Sequence, residues 1–372
     1  MNARNAEAIA DICRRLDGLP LAIELIAGYV SIFSLETILE RLEQDARLLA
    51  GARQDSPSRH QTMQGAIEWS YDLLREEERI LFTRLSVFVG GFTFEAAEAV
   101  CAGDDVSQSN LAAALRGLVN KSVVRRDCKN ESRFTMLEVI REYGLERLAA
   151  TGETGTLQQR HADFFCVLAE RNDRPRSRGQ TLASTLRAIE CEIADLRAAM
   201  HWLVSSGERE MALRIATASR SFWKGQGLHE EGRRWLREAS DGGTDFAPGV
   251  MARALTAEGH LASLQGQYDA ATALLEESLT LSRQLSDPDA TAESLMFLGN
   301  TCMRSGRPGD AIPLLEESLA IARETSDYDR IAAVLQGVHE YQPGQKLDAV
   351  LDPDNVFVFD AAGRLVASPG SA

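Results

Sequence analysis

The chain has 372 residues, which is enough for two or three domains, since single domains usually span about 100–200 residues. Hydrophobic residues make up 44% and charged residues 26%, proportions that are typical of soluble globular proteins and exclude disordered or collagen-like chains. With 55 acidic against 40 basic side chains, the net charge of −15 argues against a protein that coats nucleic acid or anionic membrane through its overall field.

The cysteines and the apolar segments indicate the cellular compartment. The six cysteines are widely spaced and form no C-x-x-C pair, which excludes a zinc knuckle and a dense disulfide framework. No apolar run approaches the roughly 18 residues that a membrane-spanning helix needs, and residues 1–17 lack a signal-peptide core. We therefore expect a cytoplasmic protein without membrane contact. No catalytic or metal-binding residues are predicted, because the histidines lack paired spacing and no G-x-S-x-G nucleophile occurs.

Residues 1–58 predict a small helical unit. Apolar residues recur at helical spacing up to Leu16, and Gly18 follows as a stop signal. Pro20 suits the first turn of a second helix, since proline lacks the N–H that would be unpaired there. A third apolar stretch follows before a polar segment that is broken by Pro57.

Residues 59–152 change pattern in the order that is typical of a winged helix. Four helices are predicted before any strand, over residues 66–74, 77–88, 94–101 and 109–119. A short hairpin follows, in which the strands 122–125 and 133–136 flank the turn residues 128–131. A closing helix is predicted over 137–150. Helices followed by a two-stranded wing predict a winged-helix domain.

Residues 153–245 predict a helical linker with degenerate repeats, and residues 246–337 predict complete helix hairpins. The sequence Leu-Leu-Glu-Glu-Ser-Leu occurs twice, forty residues apart, and Gly259 likewise recurs as Gly299. Small residues at these positions allow antiparallel helices to approach closely. The repeats resemble tetratricopeptide repeats with about six residues added to the common 34-residue period. Large aromatic side chains of the degenerate units are expected to pack mainly in the core: Trp202, Phe222, Trp223 and Trp235.

Residues 338–372 form a tail that is either β-rich or disordered. It is rich in Pro, Gly and Asp, and residues 356–359 predict a strand followed by a turn. Residues 343–360 resemble the small β-domain that ends some ABC-transporter ATPases, which implies a chimeric or frame-disrupted gene rather than transport. The predicted fold is thus mainly α: a helical remnant, a winged helix, an α-solenoid of helix hairpins and a short β-rich tail.

The sequence around Gly18 carries the most specific resemblance. Residues 12–25, with Gly18, Leu19, Pro20 and Leu21 at their centre, resemble the GLPL segment of signal-transduction ATPases of the NB-ARC or STAND type. Such segments occur in bacterial transcriptional regulators of the LuxR and AfsR types. The resemblance implies that these four residues contact a nucleotide, with Pro20 against the adenine. It also implies an ATPase core that holds ADP until a signal reaches the repeats.

This resemblance covers roughly residues 5–335 and includes departures. Nothing in the sequence fits G-x-x-x-x-G-K-[ST], so the phosphate cradle of the family is missing from this chain. We therefore expect no enzymatic activity and no cofactor in this chain, with ATP or ADP bound in a full-length relative. Relatives carry Met-His-Asp where Met136, Leu137 and Glu138 stand, and Leu137 cannot contact a phosphate. The chain looks like the C-terminal part of a larger protein.

Three functions remain open. The favoured one is the sensor and relay part of a transcriptional regulator, whose repeats bind a protein, peptide or small-molecule signal; self-association is left open. The second is a nucleotide-dependent switch in a longer product. The third is a DNA-binding regulator in which Arg125, Arg126 and Lys129 of the wing contact phosphates. The helix before the wing offers little beyond Arg116 for base edges, which disfavours DNA binding through this chain.

Overall fold

A computed structural model describes most of the helical part of the chain. The described residues are 3–16, 18–30, 33–40, 42, 58–103, 107–127, 132–173, 182–243, 246–325, 330, 358–359 and 365–367. They divide into two compact units. The first unit contains the residues up to Val167 together with Cys191–Ala199, and the second contains Leu168–Glu190 and the residues from Met200 onward. The predicted mainly α fold is confirmed, since strands in these ranges are short and helices dominate.

The N-terminal part of the first unit is a helical cluster. Its helices within the described ranges are α1 (Ala3–Arg15), α2 (Pro20–Ala27), α3 (35–40) and α4 (Ser58–Asp72). Tyr29, just after α2, packs edge-on against Trp69 of α4 with ring centroids 4.9 Å apart. Its hydroxyl donates a 2.7 Å hydrogen bond to the backbone oxygen of Ser70, and burial raises the pKa of Tyr29 to about 12. The buried aromatic pair joins the GLPL region to the helix that precedes the winged helix.

The winged helix follows in the order helix, strand, two helices, hairpin and helix. Its elements are α5 (Glu76–Leu85), β1 (Phe92–Thr93), α6 (Phe94–Cys101), α7 (Gln108–Asn120), β2 (Arg125–Arg126), β3 (Arg133–Thr135) and α8 (Glu138–Thr151). The strands form an antiparallel sheet in the order β1-β3-β2, in which Phe134 lies opposite both Phe92 and Arg126. The two-residue strand β1 was absent from the sequence prediction, because two residues are too few for a recognisable alternation.

The first strand of the wing begins later than the sequence predicts. The expected strand 122–125 contains Val123 and Val124, but their N–H groups both donate to the backbone oxygen of Leu118, at 3.1 and 3.3 Å. These bonds satisfy the carbonyl at the C-terminal end of α7. Residues 123–124 therefore cap a helix, and β2 starts only at Arg125.

Two long helices, α9 (Thr154–Asp173) and α10 (Leu182–Ser206), follow the winged helix, and both contribute residues to each unit. The second unit continues with α11 (Arg209–Ala218), α12 (Arg220–Gly225), α13 (His229–Ser240), α14 (Pro248–Leu264), α15 (Tyr268–Gln284), α16 (Pro288–Arg304) and α17 (Pro308–Glu324). The hairpins α14–α15 and α16–α17 begin forty residues apart, as the sequence repeat predicts. Trp223 is fully buried, and Phe222 and Trp235 are also in the core.

The repeated glycines permit the close helix packing that the sequence predicts. A Cβ atom on Gly259 would lie 2.7 Å from Cγ of Leu275, and one on Gly299 would lie 2.6 Å from Cγ of Leu315. A hydrogen bond is repeated as well: Ser278 Oγ donates to Ala252 O, and the equivalent Ser318 Oγ donates to Ala292 O, both at 2.7 Å. The second helix of each hairpin is thereby fixed to the first.

The tail contains one described strand pair. β4 (Val358–Phe359) pairs antiparallel with β5 (Leu365–Ala367), which agrees with the strand predicted at 356–359. The other residues of the segment 338–372 lie outside the described residues. Among the described helices, none combines the length and apolar character required to cross a membrane.

Candidate functional site

The GLPL segment forms the turn between α1 and α2. Gly18 has a φ of +65°, in the left-handed region that favours glycine, and its N–H donates to Cys13 O at 3.0 Å. Pro20 is the first residue of α2. Gly18 and Pro20 are exposed, whereas Leu19 and Leu21 are half-buried and Leu19 packs against the core. The turn therefore presents backbone and the proline ring at the surface, and nucleotide contact by these four residues stays a prediction.

The wing arginines already have partners within the first unit. The Arg125 guanidinium donates to the Glu24 carboxylate on α2. Arg126 is exposed, and its guanidinium lies 5.8 Å from the ring centroid of Phe134. The third wing cation, Lys129, lies outside the described residues. The pair between Arg125 and Glu24 links the wing to the helix that follows the GLPL turn.

The helix before the wing presents a nearly uncharged surface. In helix-turn-helix proteins, the recognition helix lies in the major groove and reads base edges with polar or cationic side chains. The exposed side chains of α7 are small or neutral except for one arginine: Gln108, Ser109, Asn110, Ala112, Ala113, Arg116 and Asn120. Such a surface supplies one cation for phosphates or bases.

A buried carboxylate joins α10 to the loop before β1. Asp195 is fully buried, and its carboxylate accepts hydrogen bonds from the N–H groups of Val89 at 2.7 Å and Gly90 at 2.8 Å. The Nε2 atom of His161, on α9, lies 3.0 Å from the same carboxylate. The surroundings are aromatic, with Phe88 5.4 Å from the His161 ring. A charge at such a site requires these partners, because burying an unpaired carboxylate is costly.

Arg133 of β3 makes a second set of buried contacts at the same place. Its guanidinium pairs with the Glu192 carboxylate and donates to the backbone oxygens of Gly91 and Cys191, both at 3.1 Å. Burial raises the pKa of Glu192, although the charge of Arg133 acts in the opposite direction. We call this set the α10 junction: Arg133, His161, Glu192 and Asp195 around loop 89–91.

In the second unit, polar side chains project from the first helices of successive hairpins. Arg220 of α12 pairs with Glu293 of α16 at 2.7 Å, and its guanidinium lies 5.0 Å from the ring centroid of Phe297. His260 of α14 stacks on Phe297, with centroids 4.0 Å apart and ring planes at 21°. In helix-hairpin solenoids these first helices lie side by side and provide a ligand surface. We call it the first-helix face: Arg220, Lys224, His260, Phe297 and Arg304.

Two basic groups of the first-helix face, His260 and Lys224, have lowered pKa values. Burial lowers the pKa of His260 well below its usual value, and nearby cations lower it further: Arg220, Lys224, Arg304 and His229. Burial and the charges of Arg220 and Arg304 lower the pKa of Lys224. Each lowered pKa shows that an additional positive charge is disfavoured at this place.

Sequence reasoning missed both arrangements, because their residues are distant in the chain. Asp195 and His161 are separated by 34 residues, and no spacing rule joins them. One sequence signal could have indicated the buried site. His161 interrupts an apolar helical stripe, since it lies four residues from both Leu157 and Phe165, which are buried in α9. A buried polar residue on such a stripe needs a partner elsewhere in the fold.

Two family models match the chain. A winged helix-turn-helix domain matches residues 74–149, and a tetratricopeptide repeat matches residues 250–324. The first match begins just before α5 and ends within α8, and the second extends from α14 to α17. The chain contains a winged helix followed by tetratricopeptide repeats.

Several known proteins with similar sequences come from mycobacteria. A Mycobacterium tuberculosis protein, provisionally named an HTH-type transcriptional regulator, is 36% identical over 304 residues, which cover 79% of this chain and 34% of the relative. A Mycobacterium bovis regulator matches with the same identity and coverage. An uncharacterized Mycobacterium tuberculosis protein is 38% identical over 163 residues, 43% of this chain and 42% of that protein. The chain spans about a third of the length of the regulators that it matches.

One of the solved structures that match the chain is only distantly similar to it. It is a Signal Transduction ATPase with Numerous Domains (STAND) protein with a tetratricopeptide repeat sensor from Pyrococcus horikoshii. The match covers 86% of this chain and 56% of that protein, with 14% sequence identity and a TM-score of 0.31. This likeness is too low to bear on function.

Proposed function

We propose that this chain is the sensor and relay part of a STAND-type transcriptional regulator, in which the repeats bind a signal and the winged helix transmits it. The observation that carries the proposal is the α10 junction. Buried charged groups bind the winged helix to residues 191–195, and Arg125 of the wing binds Glu24. Such contacts suit a domain that binds neighbouring segments of the same protein. The exposed side of α7 carries a single cation, Arg116, which is few for a DNA-recognition helix. The names of the mycobacterial relatives support regulation as the output.

A signal at the repeats would act by shifting the population between two forms of the protein. α10 contributes residues to both units, so a change in the second unit has a covalent path to the α10 junction. A ligand shifts such an equilibrium only by the difference in its affinity for the two forms, typically about 1–3 kcal/mol. We expect the two forms to differ at the α10 junction, whose buried charges need their partners.

The proposal is tested by transcript sequencing in the source organism. We expect an in-frame deletion of the codons for residues 246–324 to change the transcript levels of a defined gene set, because the sensor is removed. The control strain carries Arg323→Gln, a substitution on the exposed surface of α17, and should match the unmodified strain. Unchanged transcripts after deletion of the whole gene, in cells that normally make the protein, would contradict a regulatory role.

Duplex binding separates this proposal from the DNA-binding alternative. We expect the chain to bind a generic DNA duplex with a dissociation constant weaker than about 100 µM at moderate salt, at the weak limit of non-specific binding. Fluorescence anisotropy over a salt series measures this constant. Salt-dependent binding that weakens in both Arg125→Gln and Arg126→Gln, but not in Arg323→Gln, would establish the alternative instead.

A nucleotide site is a second proposal, restricted to a longer protein. The observation that favours it is the exposed GLPL turn, with Gly18 in the left-handed region and Pro20 at the start of α2. In such a protein, Gly18, Leu19, Pro20 and Leu21 would contact ATP or ADP. Calorimetric titration of the longer protein with ADP, before and after Pro20→Ala, tests this contact; equal affinities would reject it.

A further inference from the structure

We propose that the first-helix face binds an oxyanion, the phosphate or carboxylate group of a ligand, between Lys224 and Arg304, with the imidazole of His260 as a further donor. This inference rests on the proposed function in that the oxyanion belongs to the signal that the repeats receive. Three features of the face support it: uncompensated cations, an aromatic ring beneath the imidazole and an imidazole nitrogen without a hydrogen-bond partner within the described part of the chain.

The cations of the face differ in whether they are compensated. Arg220 is paired with Glu293 at 2.7 Å, and its charge is therefore balanced within the protein. Lys224 and Arg304 are exposed, and no ion pair joins either of them to a carboxylate among the residues that the structure describes. Their charges act on each other, since Arg304 contributes to the lowered pKa of Lys224. An anion placed between them would relieve this repulsion.

The surroundings of this pair are unusual for an acidic protein. The chain has a net charge of −15, yet the charged groups that shift the pKa of His260 and Lys224 are all basic. On His260 they come from three elements: Arg220 and Lys224 on α12, Arg304 on α16 and His229 on α13. Because Glu293 balances Arg220, the charges of Lys224 and Arg304 are the ones that favour an anionic ligand here.

The imidazole of His260 supplies a directional donor. Stacking on Phe297 fixes the plane of the ring, and the lowered pKa keeps the ring neutral near pH 7. Its Nδ1 atom is buried and has no hydrogen-bond partner within the described part of the chain. A buried N–H without an acceptor is costly, so the neutral tautomer with its proton on Nε2 is lower in free energy than the one with its proton on Nδ1. The Nε2–H group is then the donor for an oxyanion.

The direct test is a titration of the whole chain with two probes, inorganic phosphate and acetate. Nuclear magnetic resonance of the histidine Cε1–H groups follows binding, with the His260 signal assigned by its loss in His260→Gln. Sodium chloride keeps the ionic strength constant, because exposed charges are screened by salt. We expect a saturable shift of the His260 signal with at least one probe, with a dissociation constant of about 1 mM, as suits so small a ligand. The tighter probe identifies the group as phosphate or carboxylate.

Charge-matched variants decide whether this site is the one that binds. Lys224→Gln and Arg304→Gln should each weaken binding about 10-fold or more, since each removes a charge-assisted hydrogen bond. Arg323→Gln on α17 removes the same charge away from the first helices and should leave the affinity unchanged. Circular dichroism confirms that the variants fold, as expected for exposed positions.

Two results would overturn the inference. One is the lack of a saturable shift with either probe in the folded chain, and the other is equal weakening by Lys224→Gln, Arg304→Gln and Arg323→Gln. Neither result would contradict the regulatory proposal, which the measurement of transcript levels tests. Conversely, oxyanion binding together with unchanged transcripts after gene deletion would retain the site and reject the regulatory role.

Discussion

Asp195→Ala should lower the local stability of the first unit by about 3–5 kcal/mol, the range for breaking a buried charge network by removing one partner. The substitution leaves the N–H groups of Val89 and Gly90 without acceptors and removes the partner of His161. These groups lie away from bulk solvent, because Asp195 is fully buried and Phe88 lies beside His161. Native-state hydrogen exchange measures the effect through faster exchange of the Val89 and Gly90 amides.

The matched control is Asp163→Ala on α9. Asp163 is exposed and accepts a hydrogen bond from Gln159, so its loss should cost no more than about 0.5 kcal/mol. If the two substitutions cost the same, the α10 junction is not a stabilising contact and cannot serve as the relay. If Asp195→Ala speeds amide exchange only near loop 89–91, residues 191–195 can detach from the winged helix while that domain stays folded. The relay requires this behaviour.

The repeats could be predicted from the sequence because their determinants are local and occur twice. The forty-residue period and the paired glycines predict the helix hairpins that α14 to α17 form. The close helix approach at Gly259 and Gly299 also follows from the repeated glycines. A Cβ atom at either position would lie within 2.7 Å of a leucine Cγ atom. Likewise, Gly18 before Pro20 predicts the turn between α1 and α2 without reference to the rest of the fold.

Non-local contacts could not be predicted in the same way. The start of β2 depends on where the N–H groups of Val123 and Val124 find acceptors, and both use Leu118 O at the end of α7. The α10 junction depends on a helix more than a hundred residues from Val89 and Gly90. The amino-acid sequence alone does not show which distant residues pair, because the same residue types also occur at many solvated positions.

The first-helix face shows which sequence signal could have found a ligand site. Positions that agree between the repeats, such as Gly259 and Gly299, serve packing. The residues of the face break the repeat: Ala257 corresponds to Phe297, His260 to Asn300 and Leu264 to Arg304. The helix bounds are equivalent in the two hairpins despite these differences, and Phe297 also packs against the core. Departures from an internal repeat at exposed or half-buried positions are therefore a signal that could have indicated this face.

Gly91→Ala should destabilise the first unit by about 2–5 kcal/mol, because two separate costs combine at this position. Gly91 has a φ of +89°, which costs an L-residue about 1–2 kcal/mol. A Cβ atom there would also lie 2.6 Å from the backbone oxygen of Phe134, and overpacking of this kind costs about 1–3 kcal/mol. Hydrogen exchange of the β1 and β3 amides measures the sum.

Gly152→Ala isolates the first of these costs. Gly152 ends α8 with a φ of +77°, and a Cβ atom there would meet nothing within 4 Å, so only the backbone strain of about 1–2 kcal/mol applies. The difference between the two losses of stability gives the cost of the clash between the added Cβ atom at position 91 and Phe134 of β3. Equal effects would mean that the loop moves away from Phe134 at little cost. In that case Arg133, which donates to Gly91 O from the same strand, would not hold the loop against α10, and a displacement of α10 would not be transmitted to β3.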